Sequence, residues 1–268
     1  IKPDRIIICW DGQDGSVRRR SQDKNYKEGR KPLRLNWENN QTEEETLKNK
    51  LWQMGRLMEY MNNMPVCQFM FDAVEADDVI SLVCQELPND QKVIISSDKD
   101  FYQLVNDKTI IYRPVQNEIV NRKKIVDEFG IHPNNFAISR AICGDNSDNL
   151  QGIRGAGLAT IAKRIPFLKE EKSATFDDIF QYCNEQKGNI KLYDSILESK
   201  DVVTKNYKIM QLYAPSVQPS VKHTVRDSIN EYPLELKKSE IRKMLMTDGI
   251  GELDWTDLFV SLNRIIMT

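Results

Sequence analysis

Asp11, the trio Glu75, Asp77 and Asp78, the pair Asp98 and Asp100, and the pair Asp145 and Asp148 are carboxylates set beside short apolar runs. Brought together, so many acids repel one another unless cations neutralise them. Oxygen donors with few histidines select Mg2+ or Mn2+ rather than zinc, and His132 and His223 are the only histidines. Two such ions in one acidic site activate a water and stabilise a leaving oxygen, which suits phosphodiester hydrolysis better than acyl transfer. Each cluster also has a plainer reading. Acids open helices as ordinary capping residues, which covers Glu75-Ala76-Asp77-Asp78, and Ser97-Asp98-Lys99-Asp100 serves equally as a turn. The conjunction of all the clusters favours the metal reading.

For these acids to meet, the elements carrying them must form an open α/β sheet, where sites lie at the carboxyl ends of strands. Residues 6–10 read as a buried strand running into Asp11-Gly12. Residues 67–71, 92–96 and 110–113 read as further strands, and 42–62, 75–87 and 101–105 as helices. Strands alternating with helices imply an α/β fold with a mainly parallel sheet. Asp11 and the Asp98/Asp100 pair are therefore expected to point into one crevice. After Asn121 the pattern turns helical. Residues 207–213 read as a strand or a loop returning to the sheet, and 237–246 and 254–266 as helices. The expected division is 1–125 and 126–268.

The net charge of −2 argues against a nucleic-acid partner, but its distribution argues for one. Residues 16–34 carry eight basic side chains against Asp23 and Glu28, a net +6, whereas residues 72–100 carry eight acids against Lys92 and Lys99, a net −6. Two solvated faces are the bland account; a basic patch for phosphates beside an acidic site for cations is the functional one. No apolar run reaches the ~20 residues of a membrane span, so no membrane role is expected. Five cysteines at wide spacing, none in a CxxC pair, read as reduced thiols and point to the cytoplasm.

Gly144-Asp145-Asn146-Ser147-Asp148-Asn149 leads into Gly152-Ile153-Arg154-Gly155-Ala156-Gly157 and then a helical stretch through Lys163 and Arg164. Glycines there permit close approach of a phosphodiester backbone, and a helix N-terminus presents N–H groups to it. The segment lacks the Lys-Ser/Thr of a nucleotide-binding P-loop.

Together these residues resemble a known family. Glu75-Ala76-Asp77-Asp78, Ser97-Asp98-Lys99-Asp100 with Phe101 and Leu104, and the Gly144–Asn149 run followed by Gly152, Gly155 and Gly157 are similar to the ordered signature of the 5′-nuclease superfamily. That group includes flap endonucleases, the 5′-nuclease domains of bacterial DNA polymerase I, and phage 5′-exonucleases including phage ribonuclease H. The resemblance runs from residue 6 to residue 213, and the size and short loops look most like a phage member.

It implies a PIN-like nuclease domain over 1–125 with a helical arch, and a helix–turn–helix duplex clamp with C-terminal helices over 126–268. The matching metal positions are Asp11, Glu75, Asp77, Asp78, Asp98, Asp100, Asp145 and Asp148. Asp98 and Asp100 with Asp11 and Glu75 are expected to hold one Mg2+ or Mn2+, and Asp145 and Asp148 with Asp78 the other. Tyr26, Lys27 and Arg30 resemble the arch-base motif whose basic residues contact the scissile phosphate; Tyr26 reads equally as a base-stacking ring and as a packed core tyrosine. Arg18, Arg19 and Arg20 read equally as charges that steer a single-stranded flap and as plain solvated charges. Gly152, Gly155, Gly157, Lys163 and Arg164 fall at the clamp, which in this family often binds K+.

The implied activity is a metal-dependent 5′-3′ exonuclease or flap endonuclease acting in DNA replication. Its substrate is branched or nicked duplex DNA, with RNA–DNA hybrid as a further substrate and replication proteins as partners, in the host cytoplasm for a phage protein. The family pattern also opens with a strand ending in a carboxylate ahead of the position of Asp11, and that segment is expected upstream of Ile1. Two other readings stand beside this one: a non-catalytic DNA-binding module of the same fold, and a PIN-type ribonuclease, against which the glycine turn argues.

Overall fold

A computed structural model describes residues 2–28, 42–215, 217–250 and 254–267. The chain divides into two compact units, Ile1–Trp10, Lys31–Met70 and Pro219–Thr268 in the first, and Asp11–Arg30 and Phe71–Gln218 in the second. No helix among the described residues is long and apolar enough to cross a membrane.

In the first unit, strand β1 (Ile7–Cys9) pairs in parallel with β2 (Cys67–Phe69), with Ile7 opposite Cys67. Helix α2 (Glu43–Met61), numbered after the α1 of the second unit, begins in a capping box. There Glu45 N–H donates to the Thr42 hydroxyl at 3.2 Å, and Thr42 N–H donates to the Glu45 carboxylate at 2.8 Å. Helices α10 (Pro219–Asn230), α11 (Lys238–Thr247) and α12 (Trp255–Met267) complete the unit. Their core gathers Tyr60, Ile241, Leu245 and Phe259. The Tyr232 hydroxyl sits at the strand pair, accepting from Ile6 N–H at 2.8 Å and donating to the Pro65 carbonyl at 2.6 Å.

The second unit holds α1 (Val17–Gln22), α3 (Ala76–Glu86), and the strands β3 (Lys92–Ile95), β4 (Thr109–Arg113) and β5 (Glu118–Val120). β3 and β4 are parallel, and β4 and β5 form an antiparallel hairpin. Period-2 alternation turns Ile94, Ile111 and Val120 into the core, in register across the sheet. β5 escapes the sequence reading because it is only three residues long; Asn117 turns the hairpin at φ +50°, a left-handed conformation asparagine tolerates. Against this face pack α4 (Arg122–Phe129) and α5 (Phe136–Cys143), through a Tyr102–Phe129–Phe136 ring cluster.

Helices α6 (Leu158–Arg164), α7 (Phe176–Glu185), α8 (Lys191–Glu198) and α9 (Lys200–Met210) share a second core of Ile142, Ile161, Ile179, Ile196 and Val203. Residues 207–213 are no strand. α9 runs to Met210 because Val203, Asn206, Ile209 and Met210 bury one helical face. The chain beyond it returns through side chains rather than a ladder: Leu212 N–H donates to the Gln103 side chain at 2.7 Å, and Ser81 Oγ donates to the Leu212 carbonyl.

Candidate metal centre and active site

The site lies in the second unit and begins at the N-terminus of α3. Glu75 occupies the capping position, yet its side chain caps nothing. Asp11 does that work instead, its Oδ1 accepting from Ala76 N–H at 2.9 Å. Glu75 is buried and turned toward two cations, forming ion pairs with the Arg19 guanidinium and with Lys27 Nζ at 2.6 Å. Arg19 also reaches Asp78 at 3.4 Å, and its Nε donates to the Ile209 carbonyl at 3.0 Å. Asp77 sits in the same turn, where burial pushes its carboxyl up to about 6; Asp98 and Asp11 add to the shift, and Arg19 and Lys27 oppose it.

Asp98 follows β3 and caps a 3-10 turn, Lys99–Leu104, through Oδ1 accepting from Asp100 N–H at 2.8 Å. The turn reading of Asp98 therefore holds, and the same turn aims Asp100 inward. Asp100 stands with Asp145 and Asp148: ligand oxygens of these three lie within 4.8 Å of one another. The expected grouping set Asp100 with Asp11 and Glu75; the structure brings its carboxylate to Asp145 and Asp148. Asp98 is the extended N-cap of that turn, at ψ 128°, and Asp100 lies within it.

The loop bearing the last two acids is tightly specified. Asp145 and Leu150 exchange backbone hydrogen bonds at 2.8 Å, and Asn149 at φ +59° closes the turn between them. Asp145 Oδ1 accepts from Ser147 N–H at 2.7 Å and Oγ at 2.6 Å, while Oδ2 pairs with Arg140. Burial alone would raise the Asp145 carboxyl; the Ser147 bonds and Arg140 outweigh it and hold the group below the usual range. Burial drives Asp100 up to about 7, with Arg140 opposing and the Asp98 and Asp145 charges reinforcing. Three clustered carboxylates with no imidazole or thiolate among them fit a hard divalent ion.

Lys27 N–H donates to the Asp148 carbonyl at 3.0 Å and Asn149 Nδ2 to the Asn25 carbonyl at 3.1 Å, so the 25–27 turn is fastened to the acid loop. Tyr26 is 4% exposed and packs against Leu150, Ile209 and Met210. Burial raises its phenol well above the ordinary value, with the neighbouring Asp148 adding to the shift. A ring enclosed in this way has no face left for a base, which corrects the stacking expectation. Arg19, Tyr26, Asp77, Asp100, Asp148 and Met210 line one small cleft. Of the flap-steering arginines, Arg19 is buried in its ion pairs, Arg18 is half-buried and Arg20 is exposed. Arg30 lies outside the described residues.

The glycines of the hairpin between α5 and α6 differ in kind. Gly144 and Gly152 cross backbone on backbone, and a Cβ on Gly152 would be driven into the Cys143 carbonyl. Gly155, at φ +81°, and Gly157 have open space where a side chain would stand. Lys163 is exposed and Arg164 half-buried, in the last turn of α6. Sequence reasoning missed Arg140, the cation nearest the three acids. Its one signal is position: a basic residue in the last helical turn before Gly144, five residues ahead of Asp145.

Known proteins match this arrangement. Residues 1–130 match the family model of the 5′-3′ exonuclease N-terminal resolvase-like domain. The flap endonuclease Xni of Shewanella sp. (strain MR-4) is 27% identical over 212 residues, covering 78% of this chain and 73% of that protein. A 5′-3′ exonuclease of Buchnera aphidicola subsp. Schizaphis graminum is 32% identical over 115 residues, 42% of this chain and 40% of that one. The T5 D15 protein, co-crystallised with metal ions, superposes with a TM-score of 0.68 at 20% identity over 85% of each chain. The fold is thus the resolvase-like, PIN-type α/β fold of that structure, and the sequence matches are to 5′-3′ exonucleases and flap endonucleases.

Proposed function

We propose that this chain is a structure-specific 5′ nuclease that hydrolyses phosphodiester bonds near the 5′ end of flap or primer strands during DNA replication. The observation carrying this reading is the convergence of Asp100, Asp145 and Asp148, from two distant segments, within 4.8 Å. These three would hold one Mg2+ or Mn2+, and Asp11, Glu75, Asp77, Asp78 and Asp98 would hold or orient a second. When bound, such ions supply Lewis-acid activation of the attacking water and charge stabilisation at the leaving oxygen.

The chain's own groups do the rest. Lys27 stands at the rim of the acid group and, with Arg30, neutralises the scissile phosphate as its charge develops. Arg18 and Arg20 draw the single-stranded end toward the site. The open Gly155 and Gly157, with Lys163 and Arg164, admit the duplex backbone, with K+ as a further occupant of that turn. In this reading residues 1–125, completed by Asp145 and Asp148, carry the nuclease chemistry, and the rest of 126–268 the duplex grip. The substrates are branched or nicked duplex DNA and RNA–DNA hybrid, met in the cytoplasm alongside replication proteins.

Cleavage of a 5′-flap DNA by the wild-type chain, with Mg2+ and with EDTA, tests the reading. Asp145→Asn should lower Mg2+-dependent turnover by about 10³-fold or more while leaving flap affinity within a few-fold. Unchanged turnover sinks the metal assignment. Binding without cleavage by the wild type would favour a non-catalytic DNA-binding module.

A further inference from the structure

The three clustered acids already contain a cation. Arg140 extends from the last turn of α5 into the group, its Nε donating to Asp100 Oδ1 at 3.1 Å and its Nη2 pairing with Asp145. Its side chain is 15% exposed, and its carbonyl accepts from Gly144 N–H at 2.8 Å, so the backbone beneath it is pinned by the hairpin. Both oxygens of Asp145 are engaged as it stands, Oδ1 by Ser147 and Oδ2 by Arg140. A divalent ion that takes Asp145 and Asp100 must share their oxygens with a guanidinium of like sign, and a guanidinium cannot relieve that conflict by losing its proton.

We propose that Arg140 is an internal counter-ion that competes with the metal for Asp100 and Asp145, and so sets how tightly and how many divalent ions load. In the metal-free protein it holds the two carboxylates together against their repulsion. When an ion loads, the guanidinium gives up at least one of them. Three ionised acids and one guanidinium leave a formal charge of −2, which a single divalent ion balances. With a neutral residue at position 140 the charge is −3 and the site attracts a further ion. The inference rests on the metal-dependent nuclease reading. It differs from a scaffold role, in which Arg140 would shape the acids for the ion and its loss would weaken loading.

The two roles have opposite signs in a Mn2+ titration of the metal-stripped full chain, followed by the electron paramagnetic resonance signal of free Mn2+. Arg140→Met, which keeps length and removes charge, should bind the first Mn2+ at least about tenfold tighter, as expected for losing a unit charge a few ångströms from the ion. Arg140→Lys should stay near wild type. Equal or weaker binding by Arg140→Met overturns the counter-ion role and leaves the nuclease reading intact. No Mn2+ uptake by the wild type sinks both. If the methionine variant fails to fold by circular dichroism, Arg140→Gln keeps a hydrogen-bond donor without the charge and makes the same distinction.

Discussion

Replacing Glu75 by glutamine should destabilise the metal-free protein through a partner that is not itself changed. Glu75 and Arg19 have side chains 5% and 11% exposed, so their ion pair is buried. Removing one member of a buried pair costs about 3–5 kcal/mol, chiefly because the other charge is left uncompensated. Arg19 would keep Asp78 at 3.4 Å and the Ile209 carbonyl at 3.0 Å, and hydrogen bonds to a charged group recover about 1.5–3 kcal/mol. A net loss of about 2 kcal/mol remains, or roughly 4–8 °C in Tm for a chain of this size. Urea denaturation in EDTA, followed by far-UV circular dichroism, measures it without reference to activity. Arg19→Met should cost less, since Lys27 stays on Glu75 at 2.6 Å. The double variant should show a coupling of about 2 kcal/mol. A Glu75→Gln cost below about 1 kcal/mol, or strict additivity in the double variant, would refute the account of Arg19 as a buried charge dependent on Glu75.

Other outcomes follow from the same geometry. Burial pushes the metal-free Asp100 and Asp77 carboxyls up to about 7 and about 6, above the ordinary aspartate value of 3.8, so the folded protein binds more protons than the unfolded chain between those limits. Stability in EDTA should therefore fall as pH rises from about 4 to about 7, with the slope reduced in Asp100→Asn; a rise over that window contradicts the assignment. Gly152→Ala should cost about 3 kcal/mol or more through overpacking, whereas Gly155→Ala should cost only the about 1–2 kcal/mol of a left-handed residue. Equal losses in thermal melts would remove the distinction between the packing and the open glycines.

Much of this site is legible in sequence because its acids follow apolar runs and precede helical ones, so order and spacing alone place them at element ends. What is not legible depends on which way a side chain faces. Asp98 and Asp100 look equivalent as a pair, and only the 3-10 turn separates the capping acid from the clustered one. Arg19 sits between two other arginines and reads as one of three solvated charges, although burial makes it part of the acid group's wiring. Arg140 stands alone in the sequence and carries no motif. Tyr26 lies in a basic, polar stretch that suggests a surface, yet its packing partners come from residues 150, 209 and 210. Gly152 is indistinguishable in sequence from Gly155, and only the crossing of two backbones tells them apart.

The Tyr232 hydroxyl, bonded at Ile6 and Pro65, has a consequence for the timing of synthesis. The first unit draws on the chain's opening, middle and closing stretches, and its strand pair is tied down by a side chain from near the end. The segments of the second unit are all made by residue 218, so on a ribosome that unit has its whole sequence available while β1 and β2 still await α10. β1 is thus translated before every segment of the second unit, yet its tie to Tyr232 is made only after that unit's sequence is complete.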